Sequence, residues 1–256
     1  MSRTEYGLQL YSLHDITKDS MRMALERVAE MGYKYVEFAG FFDYLPEQIK
    51  LWLDEFGLIC SGSHIGLEAI TPEAIDETVR YHKIIGCDSL IVPDCKWSTP
   101  ENTKILIDTL NHAHKMLSEN GMRLAYHNHS KEFFPNEHGI VFQDKIISET
   151  ELELEIDTWW VYNAGIDVVS FLEEHKSRIR VIHLKDGLSS GADCKNFLHV
   201  DDGVRDVSVG SGENNIPEIC DWANNNNVLM VVESEGLDPT GLEEVKRCID
   251  YLGTLN

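Results

Sequence analysis

Positive charge is scarce in this chain: 22 Lys and Arg stand against 44 Asp and Glu, a formal net charge of -22 over 256 residues. Such a surface repels phosphate backbones and anionic lipid, so neither nucleic acid nor a membrane is an expected partner. No run of about 18 apolar residues occurs, which excludes a membrane-crossing helix of the usual kind. No charged segment followed by an apolar core opens the sequence, so the cytoplasm is the expected location. The six cysteines (Cys60, Cys87, Cys95, Cys194, Cys220 and Cys248) form no CxxC pair and read as reduced, structural thiols. No Pro/Ser-rich linker divides the chain, so residues 1–256 read as a single domain. No clear phosphate-cradling glycine loop is present and cations are few, so a phosphorylated substrate is not expected.

What is present is an apolar content of 43% and a repeated pattern. Short apolar runs suited to strands occur at Tyr6–Ser12, Tyr35–Phe38, Leu58–His64, Ser89–Pro93, Arg123–His129, Leu152–Asp157, Arg180–Asp186 and Val228–Glu233. Between them, helical spacing runs over Ser20–Met31, Glu47–Phe56, Thr103–Ser118, Val168–His175, Pro217–Ala223 and Leu242–Leu252. Thr71-Pro72-Glu73 has the form of an N-cap followed by proline at the first helical position, predicting a helix from there to Ile85. Strand–helix alternation implies parallel crossover units. Eight of them in a chain of this length predict an α/β fold, a closed (β/α)8 TIM barrel. Its chemistry is then expected where the strands end. The polar stretch Gly187–Asn215, with Gly203, Gly210 and Gly212, breaks the rhythm and reads as an active-site loop.

Polar residues gather at those strand ends: Glu37, His64, His127 and His129, Asp157, His183 and Lys185, Glu233 and Glu235. On a strand, side chains alternate faces, so His127 and His129 point one way and Asn128 the other. Buried charges must meet partners or a cation, and a mixed imidazole–carboxylate set suits Mn²⁺, Co²⁺, Zn²⁺ or Mg²⁺. Duller roles stand beside these. A strand-end Glu such as Glu37 or Glu235 can cap a loop or pair with a nearby Arg. His64 can be a satisfied core histidine, and Lys185-Asp186 an ion pair at the mouth of a loop. His112 and His114 read as solvated on a helix, and His138 and His175 as structural. Glu153 and Glu155 share the parity of Asp157 and are expected outward-facing or paired within the barrel. Trp159 and Trp160 are packing residues, unless one walls a sugar pocket.

Leu8-Gln9-Leu10-Tyr11-Ser12, Tyr126-His127-Asn128-His129, Asp157-Thr158-Trp159-Trp160 and His183-Leu184-Lys185-Asp186 resemble motifs of the sugar phosphate isomerase/epimerase superfamily. This is the xylose isomerase-like barrel group, which includes inosose dehydratases, ketose 3-epimerases and endonuclease IV. Gly210-Ser211-Gly212-Glu213 is similar to that group's loop before the last helix and strand. The resemblance implies a divalent metal held by His127, Asp157, His183 and Glu233. It departs from the epimerase pattern at His127, where epimerases carry a glutamate that also moves the proton.

The expected activity is metal-dependent isomerisation or epimerisation of a small keto-sugar or polyol through an enediolate. An inosose dehydratase-like lyase is the first alternative and a non-catalytic sugar-binding barrel the second. Glu233 or His129 would serve as base and Lys185 would steady the oxyanion, with Glu37 and His64 as further catalytic candidates. Gln9, Trp160 and Glu235 would touch the substrate. Exposed aromatic loops would suit a homodimer.

Overall fold

Glycine punctuates the first half of the fold. Helix α1 (Met21–Met31) ends at Gly32, whose φ of 98° lies in the left-handed region that glycine enters without a Cβ clash. Helix α2 (Pro46–Phe56) starts with proline in its first turn and ends the same way at Gly57. These stops turn the chain back toward strands β1 (Gly7–Gln9), β2 (Tyr35–Phe38) and β3 (Ile59–His64). The computed structural model describes residues 4–189 and 196–255.

The remaining elements follow in order: α3 (Ile75–Ile85), β4 (Ser89–Val92), α4 (Pro100–Glu119), β5 (Arg123–His127), α5 (Phe142–Glu149), β6 (Glu153–Asp157), α6 (Thr158–Asn163), α7 (Val168–His175) and β7 (Ile179–Leu184). A small antiparallel pair, β8 (Asp186–Leu188) and β9 (Arg205–Val207), precedes α8 (Ile216–Asn226), β10 (Leu229–Val232) and α9 (Gly241–Leu252). Eight parallel strands close a barrel in the order β1-β10-β7-β6-β5-β4-β3-β2, as the alternation predicted. Helices pack their apolar stripes on it. On α4 the buried residues Thr103, Leu106, Ile107, Leu110, Ala113 and Leu117 recur at helical spacing. No described helix is long and apolar enough to cross a membrane.

Several details differ from the pattern in the sequence, among them the short helix α6, which the helical spacing did not predict. The first strand stops at Gln9, and Leu10–Leu13 forms a 3-10 turn. Thr71 does not cap α3: its carbonyl accepts from Ala74 and Ile75, closing a turn, and the helix begins at Ile75. The seventh barrel strand ends at Leu184, and Asp186 opens the β8–β9 pair, whose other residues fall within the expected Gly187–Asn215 loop. Helix α5 had no sequence signal: Val141 at its N-cap makes no side-chain cap bond. Of the six cysteines, the five that fall among the described residues are free and buried; Cys194 lies outside them.

Candidate active site

Strand register brings the chemistry together. Gln9 lies beside Glu37, His127 beside Glu155, and Asp157 beside His183 across neighbouring strands. Val232 pairs with Leu184, so Glu233 and Lys185 leave β10 and β7 side by side. All of these are buried, in two tiers. Above, a cavity of about 430 Å³ is lined by His64, His127, His129, Glu233 and Glu235, with Tyr11 and Asp94 among its walls. Below, Glu37 and Glu155 are shut away from solvent inside the barrel.

Donor atoms of His127, Asp157, His183 and Glu233 all lie within 4.8 Å of one another. Asp157 divides its carboxylate. Oδ1 accepts from the backbone of Trp159 and Trp160 at 2.9 and 3.0 Å, capping α6. Oδ2 is buried and has no partner among the described residues. A buried carboxylate oxygen without a partner is costly, and a cation is the natural complement. Two imidazoles and two carboxylates form the mixed N/O set that divalent transition ions accept. These residues therefore fit a divalent metal.

Burial and neighbouring charges set the protonation of these four groups. Burial, reinforced by the neighbouring imidazoles of His183, His129 and His64, holds His127 well below the usual histidine range, so it is a neutral donor. Burial also raises Asp157 to about 7, Lys185 opposing and Glu233 adding to the rise. For Glu233 burial acts upward, but Lys185 and His183 overcome it and keep the carboxylate ionised. Burial lowers His183, yet Glu155, Glu37 and Glu233 outweigh it and draw the ring toward its charged form. Loading a metal there must release that proton.

Lys185 is fully buried, contacts Glu233 at 3.4 Å and pairs closely with Glu235. Its Nζ sits 5.0 Å from the ring centre of Trp160, and the His129 ring lies 5.9 Å from the same indole. Burial disfavours its charge, but Glu233, Glu235 and Asp157 prevail and hold it protonated.

Among the expected residues, His64, His127, His129, Asp157, His183, Lys185, Glu233, Glu235 and Trp160 meet around this mouth. Gln9 and Glu37 go to the lower tier. Both ends of the Gln9 amide are engaged, donating to Glu37 Oε1 at 2.8 Å and accepting from the Tyr11 amide at 3.0 Å. Asp186 makes no ion pair with Lys185. Its carboxylate accepts backbone amides of Gly187, Gly210, Gly212 and Asn214 and anchors the loop before α8. Glu155 is the residue that sequence reasoning undervalued. It lies inside the barrel, 2.8 Å from His64 and 3.1 Å from His127, while Glu153 pairs with Arg123 and Arg180 at the strand's start. The shared parity with Asp157 was its available signal.

Known proteins resemble this chain in sequence and in fold. An inosose dehydratase of Geobacillus kaustophilus (strain HTA426) is 26% identical over 189 residues, covering 63% of this chain and 60% of that protein. One from Mesomycoplasma hyopneumoniae (strain 7448) is 29% identical over 273 aligned positions, covering 92% of this chain and 89% of that one. A crystal structure described as a sugar phosphate isomerase/epimerase of Parabacteroides distasonis ATCC 8503 superposes with a TM-score of 0.79 at 24% identity, covering 97% of each chain. That likeness concerns the fold. The profile of the xylose isomerase-like TIM barrel family matches residues 25–252. With its closed parallel barrel, the chain belongs to the xylose isomerase-like TIM barrel family.

Proposed function

We propose that this barrel is a metal-assisted enzyme that moves a proton on the carbon beside a carbonyl of a small keto-sugar or polyol ketone, giving isomerisation or epimerisation. The observation that carries this reading is the convergence of His127, Asp157, His183 and Glu233 within 4.8 Å of one another, next to a buried Lys185. A divalent ion (Mn²⁺, Co²⁺, Zn²⁺ or Mg²⁺) held by these four would draw charge onto the substrate oxygens beside the reacting carbon.

The chain's own groups supply the rest. Glu233 is ionised and lines the cavity, as a base must. His129 is the other base, partly open to the same cavity, with Nδ1 3.9 Å from Glu132 Oε1. Lys185, fully buried beside Glu233 and held charged, would steady the oxygen where negative charge gathers once the proton leaves. Glu235 and Trp160 flank it and frame the bound substrate. Among the described residues, those lining the cavity include no Lys or Arg, which favours a neutral substrate over a phosphorylated one.

A second reading is dehydration. The proton removed is the same, but a hydroxyl on the next carbon leaves as water. It is favoured by the histidine at position 127 and by the inosose dehydratases among the relatives. One experiment serves both. Metal-loaded protein is incubated with a panel of keto-sugars and inososes in deuterated water and followed by NMR. Deuterium at the carbon beside the carbonyl, with or without loss of water, supports proton transfer and separates the two outcomes. A retained sugar with neither exchange nor conversion would replace both with a binding barrel.

A further inference from the structure

Beneath the mouth lies a layer that does not line the cavity. Glu37 on β2 and Glu155 in the middle of β6 are 0% and 1% exposed and neither lines the cavity. Glu37 is the nearer carboxylate to His183 and Glu155 the one that meets His127, with Glu155 Oε2 also 3.4 Å from His183 Nε2. His183 Nε2 lies 2.7 Å from Glu37 Oε1, while its Nδ1 lies 3.3 Å from Glu233 Oε2. His127 Nδ1 lies 3.1 Å from Glu155 Oε2, and its Nε2 makes no hydrogen bond among the described residues. An imidazole that donates one N–H to a carboxylate offers its other nitrogen to a metal, and that carboxylate fixes the ring's tautomer and orientation.

We infer that Glu37 and Glu155 are positioning residues that set His183 and His127 in opposite tautomers, His183 to ligate through Nδ1 and His127 through Nε2. This rests on the metal reading above. The layer is itself held in place. Gln9 Nε2 donates to Glu37 Oε1, and His64 Nε2 stands between the two carboxylates, 2.8 Å from Glu155 and 3.1 Å from Glu37. Gly62 leaves the necessary room: a Cβ there would come within 2.9 Å of Glu37 Oε2 and 2.6 Å of the Ile91 side chain.

A rival use of the same atoms exists. Donor atoms of His64, His127, Glu155 and His183 also lie within 4.8 Å of one another and could enclose a second ion. That ion would share His127 and His183 with the first, so both nitrogens of each ring would face cations and neither could keep the N–H that the carboxylates accept. A hydrogen-bonded floor satisfies the same contacts without that conflict.

The test uses the full chain, wild type, Glu37→Gln and Glu155→Gln. Zinc is titrated against a chelating competitor, and the zinc-loaded wild type is labelled with ¹⁵N-histidine for NMR. One ion per wild-type chain is expected, with affinity about 10–100-fold weaker in each variant. In the wild type, His183 should carry its proton on Nε2 and His127 on Nδ1, a readout that needs no variant to fold. The inference is overturned by two ions per chain, by unchanged affinity in both variants, or by a shared tautomer for the two rings. A wild type that binds no zinc ends the metal reading and this inference with it. One wild-type ion with indifferent variants ends this inference alone.

Discussion

Nζ of Lys185 lies 3.4 Å from Oε2 of Glu233, and both side chains are buried where the neighbouring strands β7 and β10 end. Removing one partner of a buried pair leaves the other charge uncompensated, at about 3–5 kcal/mol. Lys185→Met should therefore destabilise the metal-free protein by roughly that amount, and less when metal takes over the pairing with Glu233. Metal content should stay near wild type. Solvent deuterium exchange should slow by about 10²–10³, the usual cost of losing one preorganised oxyanion partner. Melting with and without metal, followed by exchange NMR, checks all three. An active Lys185→Met would remove the lysine from the chemistry.

Asp157 has two jobs that two substitutions separate. Asp157→Asn keeps an oxygen for the Trp159 and Trp160 amides but loses the second anionic oxygen. It should fold and lose metal. Asp157→Ala should lose metal and also about 1 kcal/mol of stability with the helix cap. Metal analysis together with denaturant melts of the metal-free forms measures the two effects. Equal stability in both variants would refute the cap.

Acidity gives a third test, on metal-free protein. Burial pulls His64 down, but hydrogen bonds to Glu155 and Glu37 prevail and raise it from 6.5 to about 9. A histidine raised in the folded state stabilises the fold fully below its unfolded value and loses that contribution as pH climbs through the folded one. Stability should therefore fall between pH 6.5 and about 9. Asp157 and Glu155, raised to about 7, have largely ionised by the upper half of that window. His64→Gln should flatten the decline there. An equally steep decline in that variant would assign it to other groups.

Asp186 supplies a test away from the chemistry. Its carboxylate accepts four backbone amides at 2.8–3.0 Å. Asp186→Ala should cost at least about 1–3 kcal/mol, the penalty for leaving a buried donor unmet. Chemical denaturation would show it, and a cost below a few tenths would mean that the amides find other acceptors.

The barrel was legible because its cues are local. Apolar runs, helix spacing and terminal glycines repeat often enough to give the order of all eight barrel strands. Local cues also misled. Thr71-Pro72-Glu73 has the residues of a helix start, but the chain uses them for a preceding turn. Helix α5 escaped because Val141 offers no side-chain cap. The mouth was legible because its residues stand at strand ends. The layer below was not, since nothing local tells Glu37 that it meets His183, 146 positions away, at 2.7 Å. Glu155 shares the parity of Asp157, but parity alone does not say whether an earlier position faces a partner inside the barrel or solvent.

The most direct measurement is anomalous scattering from crystals grown with Mn²⁺ or Co²⁺, recorded at the metal's absorption edge. A single strong peak bounded by His127, Asp157, His183 and Glu233 is the expected result. No peak in the barrel, or a peak whose ligands leave out Asp157 and Glu233, would contradict it.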